Sequence, residues 1–133
     1  MLSTESQILA GILLLSLVTV ETGGLYLVRI TTGREQVTAF QEKFARAGHA
    51  HAGVLLLLAL VVQPYADAAG MDGPLGWLGR AGVAAAALLM PAGFFFASLG
   101  QGRERPSRWI VLVFVGAAVL AASLTTLGLG LLL

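Results

Sequence analysis

Four long apolar runs, separated by short stretches that hold nearly all of the charge, set the plan of this chain. The first extends from Ile8 to Ile30 and contains one carboxylate, Glu21, with Arg29 near its end. The second runs from Ala45 to Val62 and stops at Gln63-Pro64. The third spans Leu75 to Leu99, with Arg80 near its start and Pro91 inside it, and the fourth spans Trp109 to Leu133 without a charge. About 20 residues at a rise of about 1.5 Å cross a hydrocarbon core of about 30 Å, so each run predicts a membrane-spanning helix. No run alternates polar and apolar positions as the wall of a lipid-exposed barrel must. The expected fold class is therefore all-α, an integral membrane four-helix antiparallel bundle. It forms one transmembrane domain over 1–133, with spans at about 8–30, 45–62, 75–99 and 109–133. The first run is too long for a signal peptide, and only Glu5 precedes it where a positive n-region would stand.

Composition agrees with the pattern. Of 133 residues, 57% are hydrophobic and 11% charged, where a soluble domain carries about 25% charged residues to cover its surface. Mean hydropathy is +0.87. Eight Lys/Arg and seven Asp/Glu cannot coat a water-facing sphere, which excludes an ordinary soluble enzyme and a disordered tail. A net charge of +1 offers no basic field for phosphates, so no nucleic-acid partner is expected. With no cysteine there is no disulfide framework, no thiolate-ligated metal and no covalently attached c-type haem.

The charges also orient the chain. Arg29, Arg34, Lys43 and Arg46 flank the first connection, and Arg103, Arg105 and Arg108 occupy the third. The opposite side holds only Arg80, beside Glu5, Asp67 and Asp72. This asymmetry predicts that connections one and three are cytoplasmic and both termini outside, in an inner membrane of bacterial type. Tyr26, Tyr65, Trp77 and Trp109 sit near span ends, as interfacial anchors do. Small residues suit close helix approach: Gly82 with Ala86, Gly93 with Ala97, then Gly116, Ala117, Ala121, Ser123, Gly128 and Gly130. Pro91 is expected to kink span three.

Polar groups inside a membrane are costly, so Glu21, His49 and His51 are the candidates for chemistry. Nothing between Glu35 and Gly48 breaks a helix, so the second span is expected to extend inward from the bilayer. Two residues apart on that helix, the histidines differ by about 200° and cannot share one metal. His49 lies on a stripe with Glu35, Glu42 and Arg46; His51 lies on an apolar stripe with Val37, Phe40, Phe44 and Ala47. An apolar wall with one imidazole suits a haem, whose propionates would find cations in Lys43, Arg46 and the Arg103, Arg105, Arg108 group. Glu21 lies about 12 Å along its helix from Arg29, inside the hydrocarbon region. It must be protonated, paired or open to a cavity, as a cation ligand, proton carrier, histidine partner or neutral acid bonded to backbone.

The run from Phe44 through Arg46, His49 and His51 to Gly53, followed by an apolar span to Pro64, resembles the second span of the styrene oxide isomerase and hydroxylaminobenzene mutase family. The resemblance implies a four-span membrane enzyme with haem b at the subunit interfaces of a homotrimer. One histidine would bind iron, and ferric haem would act as a Lewis acid on the oxygen of a small apolar epoxide. Arg46 and Gly53 fit that pattern, and the ligand matches either His49 or His51, with the apolar stripe favouring His51. The chain departs from the family at Leu55 to Leu58, where the family has an Asn-Gly pair. It departs again at Pro91 to Phe96, where the family has a tyrosine and an asparagine. Beside this reading stand a small proton- or cation-coupled transporter working through Glu21 and the histidines, and a structural or assembly subunit of a membrane complex.

Overall fold

A computed structural model describes every residue from Met1 to Leu133. Four helices make up the chain: α1 (Thr4–Thr31), α2 (Ala39–Ala69), α3 (Gly73–Ser98) and α4 (Val111–Leu132), the last entered through a single 3-10 turn at Arg108–Ile110. All four are long and apolar enough to cross a membrane. The protein is a membrane-embedded helical bundle, and each expected span lies on one helix.

Both ends of α2 differ from the sequence reading, each with a local cause. The helical extension expected from Glu35 begins instead at Ala39. Thr38 caps α2 by accepting from the Gln41 N–H at 3.1 Å, and the Gln41 side chain accepts from the Thr38 N–H at 3.1 Å. This reciprocal box ends the helix there. It is anchored across the bundle, because Thr38 Oγ1 donates to the Arg103 carbonyl and Gln41 Nε2 donates to the carbonyls of Ser98 and Gly100. Glu35 to Val37 therefore lie in the connection, off the stripes assigned to them. At the other end α2 does not stop at Gln63-Pro64 but continues to Ala69. Pro64 removes one backbone donor, yet the turn beyond it is held from outside: Asp67 is bonded to α1 and α3. Gly70, in the left-handed conformation at φ 58°, then closes the helix. Helix α3 likewise runs unbroken across Pro91, which is buried in the bundle.

Sequence neighbours pack side by side. Helices α2 and α3 form the middle, α4 lies along α3, and α1 lies along α2 with only a slight contact to α3 and none to α4. Leu55, Leu56, Ala59 and Val62 of α2 meet Val83, Ala87 and Met90 of α3 in the core, with Leu13 and Leu127 reaching in from the flanks. The outward faces carry exposed Ile12, Leu15, Val18, Val54, Leu57, Val61, Leu88 and Phe114, as lipid contact requires.

Packing between α3 and α4 uses the expected small residues, and it uses them within one chain. Gly82 meets Ser123, Gly93 meets Leu112 and Val113, and Gly116 meets Leu89 and Met90. Ala117 and Ala121 point outward instead. A Cβ on Gly93 would stand 2.7 Å from the backbone nitrogen of Val113, so the helices themselves would have to separate. Overpacking of this kind costs about 1–3 kcal/mol. Gly93→Ala is accordingly expected to lower the thermal unfolding midpoint in detergent. Gly11→Ala, on the open face of α1 with nothing within 4 Å of the added carbon, should not.

Candidate functional site

The segment Phe44–Gly53 of α2 lies between α1 and α3, and its residues divide between the two sides. Toward α3, the His51 ring packs against Phe94 with centroids 4.9 Å apart and planes tilted by 40°. Phe94 meets Phe44 edge-on at 5.5 Å, and Phe44 packs on Phe40 at 4.2 Å. His51 Nδ1 lies 2.8 Å from the Ala47 carbonyl oxygen, one turn back. A carbonyl only accepts, so in the neutral ring Nδ1 carries the proton and Nε2 keeps its lone pair. The ring is half-buried. His51 is thus an imidazole of fixed tautomer, set in an aromatic niche with its basic nitrogen free of the backbone.

Toward α1, His49 fills a space left by two glycines. A Cβ on Gly23 would stand 3.1 Å from His49 Nδ1, and one on Gly24 would stand 3.5 Å from Cε1. A methyl group at 23 would need the imidazole to give by a few tenths of an ångström, and one at 24 would only touch it. Glu21 lies one turn from these glycines on the exposed side of α1 and joins none of the three ion pairs. With Leu17, Val20, Gly24, Leu25 and His49 it lines a cleft of about 550 Å³.

Arg46 is tied to Glu42 one turn back at 2.6 Å and is exposed. It lies on the His49 stripe, away from His51. Gly53 shares that stripe, and nothing comes within 4 Å of a Cβ built on it. Phe44 alone joins His51. The histidines do not converge, and no three His, Asp or Glu side chains converge elsewhere.

Sequence reasoning missed a polar node at the opposite end of the bundle. Asp67 accepts from the Ser3 N–H at 2.9 Å, Ser3 Oγ at 2.8 Å and Ser6 Oγ at 2.9 Å. Arg80 Nη1 reaches the same carboxylate at 2.6 Å and also donates to Ser3 Oγ and Ser6 Oγ. Beside it the buried Gln63 side chain donates to the carbonyls of Ala59 and Arg80. Three helices meet here. The available signal was an acid and a base on either side of a short glycine-rich turn, facing serines at i and i+3.

Comparison with protein-family models, with curated proteins and with solved structures returns no match in any of the three. Geometry and chemistry therefore carry the functional argument.

The Asp67–Arg80 pair is less than one-fifth exposed on either side, so removing one partner strands a charge, at a cost of about 3 kcal/mol. Arg80→Ala should lower the unfolding midpoint by a corresponding margin in thermal melts. Arg80→Lys should recover part of it, because every contact runs through one nitrogen and an ammonium offers three donors.

Proposed function

We propose that this protein is a haem-binding integral membrane protein whose iron ligand is His51. The observation that carries the reading is the Nδ1–H bond to the Ala47 carbonyl, which orients the imidazole and leaves the Nε2 lone pair free for iron. Metal-binding histidines characteristically donate their other ring N–H in this way. The donor set fits haem better than a bare ion: one imidazole among aromatic side chains, with no second protein ligand converging on it. Phe40, Phe44 and Phe94 would hold the macrocycle. Lys43, Arg103, Arg105 and Arg108, at the same end of the bundle, would face the propionates.

Ferric haem supplies a Lewis acid. Isomerisation of a small apolar epoxide without net redox change is the narrower reading, resting on the likeness of the Phe44–Gly53 segment to the styrene oxide isomerases. Within this reading the niche, half-open on the surface of one chain, would be closed by a neighbouring copy in a homotrimer. The arginine-rich end would face the cytoplasm of a bacterial-type cell, with both termini outside.

The test is the absorption spectrum of the detergent-purified protein, as isolated and after titration with haemin. Wild type is expected to show a Soret band that saturates at one haem per chain. His51→Ala should reduce bound haem by at least about tenfold, and His49→Ala should leave the band in place. A colourless protein after haemin addition, or loss of the band in the His49 variant alone, would overturn the assignment.

A further inference from the structure

The cleft between α1 and α2 raises a separate question, because it exposes a carboxylate where the bilayer offers it no partner. Glu21 lies about 12 Å from Arg29 along α1 and faces outward. The two arginines of these helices are already paired. Arg29 pairs with Glu35 at 3.4 Å and Arg46 pairs with Glu42 at 2.6 Å. The only other polar side chain lining the cleft is His49, on the opposite wall. A second hollow of about 210 Å³, lined by Thr19, Thr22, Gly23, Ala52 and Phe95, shares His49 and Val20 with the first, so the space extends along the α1–α2 seam.

We propose that this cleft binds a lipophilic organic monocation, an ammonium or phosphonium with apolar substituents, using Glu21 as its counter-charge. The wall chemistry selects that class. A hard divalent ion takes six or more oxygen ligands, and the cleft has one carboxylate. A small hydrated cation would have to shed water against Leu17, Val20 and Leu25, which replace none of it. A cation that carries its own hydrocarbon satisfies both parts: the charge meets Glu21 and the substituents meet the leucines and the His49 ring. Such ions concentrate in the bilayer, and the outward exposure of Glu21 and Leu25 opens the cleft to that side. A volume of about 550 Å³ is within the range of small-molecule sites. The site lies on the side of α2 away from His51 and does not depend on the haem reading.

The test uses the full chain in lipid nanodiscs with tetraphenylphosphonium as the probe. Wild type is expected to bind it saturably at one per chain, above the partition into protein-free nanodiscs. Glu21→Gln should weaken binding at least about tenfold, as loss of a desolvated charge partner does. Glu5→Gln, at the far end of α1, should bind as wild type does. Should Glu21→Gln fail to fold, a second measurement on wild type decides: dicyclohexylcarbodiimide should modify Glu21, and tetraphenylphosphonium should slow that modification. Binding no greater than partition, or unchanged affinity in a folded Glu21→Gln variant, would overturn the proposal. So would a Glu21 that the carbodiimide cannot reach because a second copy of the chain covers it.

Discussion

Within lipid, apolar side chains give helices no reason to leave their surroundings for one another, so association rests on close packing and on polar cross-links. This protein uses both, at different seams. Helices α3 and α4 are joined by approach, through Gly82, Gly93 and Gly116, where backbone meets side chain with no room for a methyl group. Helices α1, α2 and α3 are joined by polarity, through Asp67, Arg80, Ser3 and Ser6. A single interhelical hydrogen bond in a membrane contributes about 0.6 kcal/mol on average, so a node in which one carboxylate receives four donors concentrates in one place what few other positions supply. It also explains how α2 continues past Pro64, since the turn after the proline is the one that presents Asp67.

The plan of the bundle was legible because its physics is local. Length and hydropathy alone place four spans, and the helices fall on them. Helix ends were less legible, because partners distant in sequence set them. Thr38 and Gln41 form a recognisable capping box, yet its weight comes from bonds to Ser98, Gly100 and Arg103 on another connection. Asp67 and Arg80 read as two entries in a charge balance until folding brought the two serines of α1 against them.

The site was legible in part. Helical periodicity already separated His49 from His51, and the structure gives each its own wall. What periodicity could not supply was the identity of those walls. Phe94 stood only in an apolar run, although it is the ring that His51 packs against. Gly23 and Gly24, which no motif singles out, are the space into which His49 fits. Arg46 and Gly53, expected beside the ligand through likeness to a family, lie on the other stripe. One helix thus serves two unlike surroundings, and residues close in sequence belong to different ones.

Helix α1 is fastened unevenly. Its polar attachments to the rest of the bundle are gathered at Ser3 and Ser6, while toward Arg29 it rests on α2 through glycines and has no contact with α4. Glu21 lies about 27 Å along the axis from Ser3. The polar bonds of α1 to the bundle thus lie at one end, and a tilt of about 5° about Ser3 would carry Glu21 through about 2 Å, the van der Waals radius of a methyl group. A change of that size in the gap beside His49 would leave the serine bonds to Asp67 and Arg80 intact, so the polar node would serve α1 as its hinge.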